Sequence, residues 1–165
     1  MEVIEEIDED TNAHADEADP ACMLISKITD QIYLGPCEPA VTDSDSFQKL
    51  NIDVIINCAS DVEYPPQTKY IIENYPMEDD DCASMLDYMD DANEKIHHYL
   101  RLQKKVYLHC VMGVSRSPAI LIYYMMSHMG LTYDEAYDQL IAIRPVINLN
   151  HNFERELRTI EEVAL

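Results

Sequence analysis

Residues 106–119 read VYLHCVMGVSRSPA, and within them Cys110 is followed six positions later by Arg116, with Gly113, Ser115 and Ser117 around it. A cysteine thiolate is a strong nucleophile, and a guanidinium presents a planar fork that matches two oxygens of a phosphoryl group. If the segment folds as strand, short loop and helix, the backbone N–H groups of Val111, Met112, Gly113, Val114, Ser115 and Arg116 converge on one point. The positive end of the helix dipole adds to them there, and an anion can sit. Gly113 allows a conformation or a close approach that a side chain would block. Cys110, at the base of this cradle, would have its thiolate stabilised by the same dipoles and by Arg116. A buried structural cysteine beside an unrelated surface arginine would explain the spacing alone, but not the glycine, the serines and the flanking elements.

Those elements can be read from pattern. Val106 to Leu108 is a short β-branched and aromatic run after the polar Gln103, Lys104 and Lys105, so it predicts a buried strand ending at His109. PAILIYYMMSHM, from Pro118 onward, predicts a buried helix with proline in its first turn. Further strands are expected at Ile32–Leu34, Asp53–Cys58 and Tyr70–Glu73, with a helical patch at Ser46–Leu50. Met85, Leu86, Met89, Ala92, Ile96, Tyr99 and Leu100 recur at helical spacing, with Ser84 and Asp87 as a capping pair. Thr132 and Glu135 form a second capping box, opening a helix that Arg144 and Pro145 close, and a last helix is expected over Asn152–Val163. Strands interleaved with helices predict an α/β layer structure, with the cysteine loop at the carboxyl end of a sheet strand.

The segment HCVMGVSRS resembles the active-site signature of the cysteine-dependent dual-specificity protein phosphatases. YPMEDDD at 75–81 fits that family's general-acid loop and places Asp79 31 positions before Cys110. QIYLGPCEPA at 31–40 is similar to its opening strand and turn. IRPVINLNHNF at 143–153 is similar to a motif after the catalytic helix, with Leu149 where proline is usual and Asn152 where glycine is usual. The resemblance spans about residues 26–160. It implies a protein tyrosine phosphatase-like fold, a central mixed sheet of about five strands flanked by helices, of the small atypical type. It implies hydrolysis of phosphomonoesters on phosphotyrosine and phosphoserine or phosphothreonine of proteins, through a cysteinyl-phosphate intermediate. Cys110 would attack, Arg116 and the loop amides would hold the phosphoryl oxygens, and Asp79 would be general acid and then base. Ser117 would hydrogen-bond the cysteine sulfur, His109 would orient the loop, and Asn150 would support it. Neither a metal nor a cofactor is implied.

Two other readings stand beside this one. A phosphatase-fold module that only binds phosphorylated partners usually lacks the cysteine, the arginine or the acid, and all three are present here. A non-protein phosphate, an RNA 5′ end or a phosphoinositide, is the other; the loop interior carries no lysine, and Ser115 precedes the arginine.

Composition bounds the rest. At 165 residues with 47% apolar content, one domain with a real core is expected. Of 32 acidic residues nine lie in residues 1–20, which contain none of the 11 Lys and Arg. Residues 1–22 are therefore expected as an acidic, disordered tail, and 23–165 as the catalytic domain. The formal net charge of −21 disfavours nucleic acid as a partner, because like charge repels phosphate backbones. The run Ala119–Met126 is too short to cross a bilayer, MEVIEEIDED has no signal-peptide pattern, and Glu2 is incompatible with myristoylation. Five irregularly spaced cysteines suit a reducing compartment, cytoplasmic or nuclear, with Cys58 and Cys82 inert or one of them an oxidative guard for Cys110. A phosphorylated protein is the expected partner, and the chain is expected as a monomer or weak dimer.

Overall fold

The computed structural model describes residues 19–164. A 3-10 turn at Pro20–Met23 leads into β1 (Ser26–Lys27) and β2 (Ile32–Gly35), followed by the one-turn helices α1 (Glu38–Val41) and α2 (Asp45–Gln48). Then come β3 (Val54–Asn57), β4 (Ile71–Asn74), α3 (Met89–Arg101), β5 (Val106–His109), α4 (Arg116–Met129), α5 (Tyr133–Ile143) and α6 (His151–Ala164). The expected tail lies outside the described residues up to position 18, but its last residues, Pro20 to Cys22, belong to the 3-10 turn and Cys22 is buried.

The five strands form one mixed sheet in the order β1-β2-β5-β3-β4. Only β1 runs antiparallel; β2, β5, β3 and β4 are parallel. β5 sits in the middle, and both Gly35 of β2 and Asn57 of β3 pair with His109, so three strands end level where β5 hands over to the cysteine loop. That is the carboxyl edge at which open parallel sheets present ligand sites.

Both faces of the sheet are covered, which is why the parallel strands read as continuous apolar runs. Val106 and Leu108 point with Ile32, Leu34, Val54 and Ile56 into the larger core beneath α3 and α4, and Cys110 continues on that side. Tyr107 and Ile55 point to a smaller core with Tyr33, Ala40 and Phe47, where Phe47 meets Tyr107 edge to face at 4.9 Å. α4 is buried almost all round, from Ala119 through Ile122 to Met125, and packs against α3, α5 and α6. Gly130 ends it in the left-handed conformation, φ 67°.

The expected strands are present within one residue of their predicted ends, and β1 and α1 are additional. α3 differs: it starts at Met89, not at the Ser84–Asp87 pair. Ser84 Oγ instead accepts from Leu86 N, and the Met85 amide donates to Glu156 on α6 at 2.9 Å. The Met85 carbonyl accepts from Met89 N at 2.9 Å, the bond that opens α3. The Thr132–Glu135 capping box forms in full, with both reciprocal bonds at the start of α5. Thr132→Ala should cost about 1 kcal/mol in urea unfolding, and Thr132→Ser should restore most of it.

Candidate active site

The loop from Cys110 to Ser115 connects the central strand β5 to the first turn of α4. If its amides face one point, its carbonyls must face away and find donors elsewhere. They do. Cys110 O accepts from His109 Nδ1 at 2.7 Å and Val111 O from Cys37 N at 2.9 Å. Met112 O and Gly113 O both accept from Arg144, each at 2.8 Å. Val114 O accepts from Asn148 N at 3.0 Å and Ser115 O from Ala119 N at 3.0 Å. Gly113 is required at its position twice over: its φ is +65°, and a Cβ there would lie 2.4 Å from the carbonyl oxygen of Gly35.

Cys110 is buried, and burial, the largest influence on its thiol, pushes its pKa up. The Ser117 hydroxyl and amide, the Arg116 charge and the Gly113 amide together outweigh burial and hold it below the ordinary thiol range. Ser117 Oγ donates to Cys110 Sγ at 3.3 Å.

His109 is fully buried, which pushes its pKa down to about 4. Its Nδ1 faces a carbonyl, which only accepts, so the ring proton is on Nδ1 and Nε2 accepts from the Tyr64 hydroxyl at 2.7 Å. Burial raises the Tyr64 pKa, which keeps that hydroxyl a donor. The histidine is thus a neutral strut between the Tyr64 loop and the base of the cysteine loop.

Asp79 lies over the cysteine loop. Its Oδ1 accepts from Ser115 Oγ at 3.1 Å and from Asn150 Nδ2 at 3.2 Å. Asp80 instead accepts from Cys82 N with its carboxylate, and its carbonyl accepts from Asn150 Nδ2. The residues that depart from the resembled motif keep the turn intact. Asn150 Oδ1 accepts from Asn152 N at the start of α6, and Asn152 Nδ2 donates to Asp81 O at 2.8 Å. Leu149 is buried in the core. Asn150 and Asn152 together pin all three residues of the acid loop to α6.

Arg116 is buried, with its Nη1 donating to Met77 O and to Asp61 Oδ1, both at 3.0 Å. Its Nε, 3.9 Å from Asp79 Oδ2, has no hydrogen-bond partner among the described residues. A buried guanidinium N–H left open in this way is suited to an anionic ligand. Cys110, Arg116, Asp79, Val111, Met112, Val114 and Ser115 all line one cleft of about 630 Å³. Among the described residues no three His, Cys, Asp or Glu side chains are grouped as metal ligands. No helix among them is long and apolar enough to cross a membrane.

Three residues of this site have little or no local signal in the sequence. Arg144, which reads only as a helix stop, is buried and bonds Met112 O and Gly113 O on one side and Cys22 O, Leu24 O and Ser26 Oγ on the other. Tyr64 and Asp61 sit in the loop after β3 and reach His109 and Arg116 across more than 40 positions of chain. The arginine-proline pair at 144–145 is the one clue to the first; the other two offer none. Cys58 is buried, and burial raises its thiol pKa well above the ordinary range; Cys82 is exposed and both are free thiols.

A thiol biased toward its anion, an open guanidinium N–H and a carboxyl group over the same loop make a centre for covalent transfer of a phosphoryl group. The family model for the dual specificity phosphatase catalytic domain matches residues 32–163, and the chain belongs to that family. It is 34% identical over 137 residues to mouse (Mus musculus) dual specificity protein phosphatase 14, covering 81% of this chain and 67% of the relative. It is 28% identical over 138 residues to mouse protein phosphatase Slingshot homolog 3, covering 84% of this chain and 21% of that longer protein, so it spans about a fifth of it. The fold superposes on that of the human tyrosine phosphatase-like serine/threonine/tyrosine-interacting protein with a TM-score of 0.76, at 25% identity, covering 85% of this chain and 97% of the other.

Two consequences can be measured. Arg144→Met leaves four carbonyls and one hydroxyl without their donor, at about 1–3 kcal/mol for each group that stays buried. Urea unfolding should register a loss of about 3 kcal/mol or more, with Arg144→Lys rescuing little because one ammonium cannot span both sets of carbonyls. His109 binds its proton near pH 6.5 when unfolded and near pH 4 when folded. Between those values the unfolded chain holds more protons, so stability falls as pH drops. The folding free energy should lose roughly 2–3 kcal/mol more between pH 7 and pH 4.5 in the wild type than in His109→Gln, by urea unfolding at each pH; equal losses would contradict a neutral buried ring.

Proposed function

We propose that this chain hydrolyses phosphate monoesters on phosphoprotein, at phosphotyrosine and at phosphoserine or phosphothreonine, through a cysteinyl-phosphate intermediate. The carrying observation is Cys110: a buried thiol whose anionic form is favoured, in one cleft with Arg116 and Asp79. In the first step the Cys110 thiolate attacks phosphorus in line, the P–O bond to the alcohol or phenol breaks, and Asp79 gives its proton to the departing oxygen. Arg116 and the amides from Val111 to Arg116 take the charge that builds on the phosphoryl oxygens. In the second step water attacks the thiophosphate, Asp79 as carboxylate takes the water proton, and inorganic phosphate leaves. Ser117 donates to the departing sulfur, a role for which its 3.3 Å bond to Cys110 Sγ is already in place. Asn150 and Ser115 hold Asp79, and His109 holds the loop base, as positioning residues.

The absence of a basic side chain at Val111, Met112 and Val114 supports a protein substrate over a lipid or RNA phosphate. Retention of Cys110, Arg116 and Asp79 together favours an enzyme over a module that only binds phosphorylated partners. The described part of residues 23–165 contains every residue the mechanism uses, and no step calls for a metal or a cofactor.

Release of phosphate from an aryl phosphate tests the reading. Cys110→Ser should abolish it, and Asp79→Asn should lower kcat by about 10²–10⁴. Because the thiol must be ionised while the acid is protonated, the wild-type rate should be bell-shaped in pH with an optimum below neutrality. Equal rates for wild type and Cys110→Ser would end the enzyme reading.

A further inference from the structure

The cleft around Cys110 has a positive floor and a negative mouth. Asp19, Asp61 and Asp79 line it, and Arg116 is the only basic side chain among its described lining. Asp61 and Arg116 form an ion pair at 3.0 Å in which the arginine is 9% exposed and the aspartate 62%. The carboxylate therefore lies on the solvent side of the guanidinium, over the route by which an anion approaches. Asp19 is held in place by construction. It caps the 3-10 turn by accepting from Ala21 N at 2.9 Å, and that turn is anchored by the bond from buried Arg144 to Cys22 O at 2.9 Å. The unpartnered, buried Nε of Arg116 marks where a phosphoryl oxygen would enter.

A dianionic phosphate seated at the open Nε of Arg116 faces Asp19 and Asp61 at the mouth. The added negative charge beside these two carboxylates favours a cation placed between them. Successive residues of an extended peptide are about 3.3 Å apart, so a lysine or arginine one or two positions from the phosphorylated residue falls at the rim. We propose, resting on the phosphatase reading above, that the substrates are phosphorylated protein segments with Lys or Arg flanking the phosphoresidue. The phosphate binds Arg116 through its open Nε, and the flanking cation pairs with Asp61 and Asp19 at the rim. Acidic flanks, or several phosphates on one molecule as in inositol polyphosphate headgroups, add to the negative mouth and are rejected. With 32 acidic against 11 basic residues, the chain as a whole attracts such cationic segments at long range and repels polyanions.

Two phosphotyrosine peptides that differ only in carrying Lys or Glu on both sides of the phosphotyrosine provide the test, with an aryl phosphate that carries no charge besides its phosphate as reference. For wild type, kcat/KM should favour the basic peptide by about tenfold or more at low salt, the size of one or two partly screened charge contacts. The ratio should shrink toward one as salt is raised to about 0.5 M. Asp61→Asn and Asp19→Asn should each lower the ratio several-fold; Asn at position 19 can still cap the turn. Binding of both peptides to Cys110→Ser should show the same order. Equal kcat/KM for the two peptides, or a preference for the acidic one, with the aryl phosphate still hydrolysed, would overturn the flanking-charge inference and leave the phosphatase reading standing. If the aryl phosphate is untouched the phosphatase reading fails, and the binding ratio on Cys110→Ser then decides the inference alone: a ratio of one overturns it.

Discussion

A loop that aims its amides at one point must turn its carbonyls outward, and a buried carbonyl without a donor costs more than most single contacts return. Much of this molecule can be understood as the supply of those donors. Cys37 from the turn after β2, Asn148 from the stretch before α6, His109 from β5 itself and Arg144 from the end of α5 each cap a carbonyl of the cysteine loop. Because Arg144 also holds the carbonyls of Cys22 and Leu24, the chain before β1 is tied to the same point. The sheet supplies the rest of the constraint: Gly35 on β2 ends level with His109, and its backbone lies so close to Gly113 that a Cβ on Gly113 would clash with it.

Electrostatics in the cleft follow from burial acting on groups of different charge type. Burial disfavours the charged form of both Cys110 and His109, but only Cys110 receives enough N–H and O–H donors to reverse the effect. The histidine stays neutral and so can both accept from Tyr64 and donate to Cys110 O, which a doubly protonated ring could not do. Among the described residues Arg116 is then the one buried positive charge lining the cleft, and Asp61 and Asp79 balance it. An anion site in a protein of net charge −21 is possible because its attraction is short-ranged, made of one guanidinium and a ring of amides, while the repulsion it opposes is screened over about 10 Å at 0.1 M salt.

Local pattern carried the strands, the buried helix α4 and the Thr132–Glu135 box, because each depends on neighbours within a few positions. It failed at the start of α3, where Ser84 and Asp87 look like a cap but the Met85 amide is claimed by Glu156, 71 positions away. It also missed β1, two residues long and held by pairing with β2, not by any propensity of its own. At the two departures from the resembled motif, Leu149 and Asn152, Leu149 is buried in the core, Asn150 caps α6, and Asn152 bonds Asp81 O.

The sequence by itself determined the reactive group and its cradle, since Cys110, Gly113, Arg116 and Ser117 lie within eight residues and their relation is set by one strand-to-helix turn. It also singled out Asp79 and Asn150, through motifs that place them at set distances from that loop. Tertiary structure alone decided what surrounds the cradle: that Arg144 braces its back, that Tyr64 steadies His109, and that Asp19 and Asp61 make the mouth acidic. The physical reason is range. Spacing encodes groups joined by a short, regular piece of backbone, whereas the brace and the rim are contacts between segments that meet only when β2, β5 and β3 close side by side.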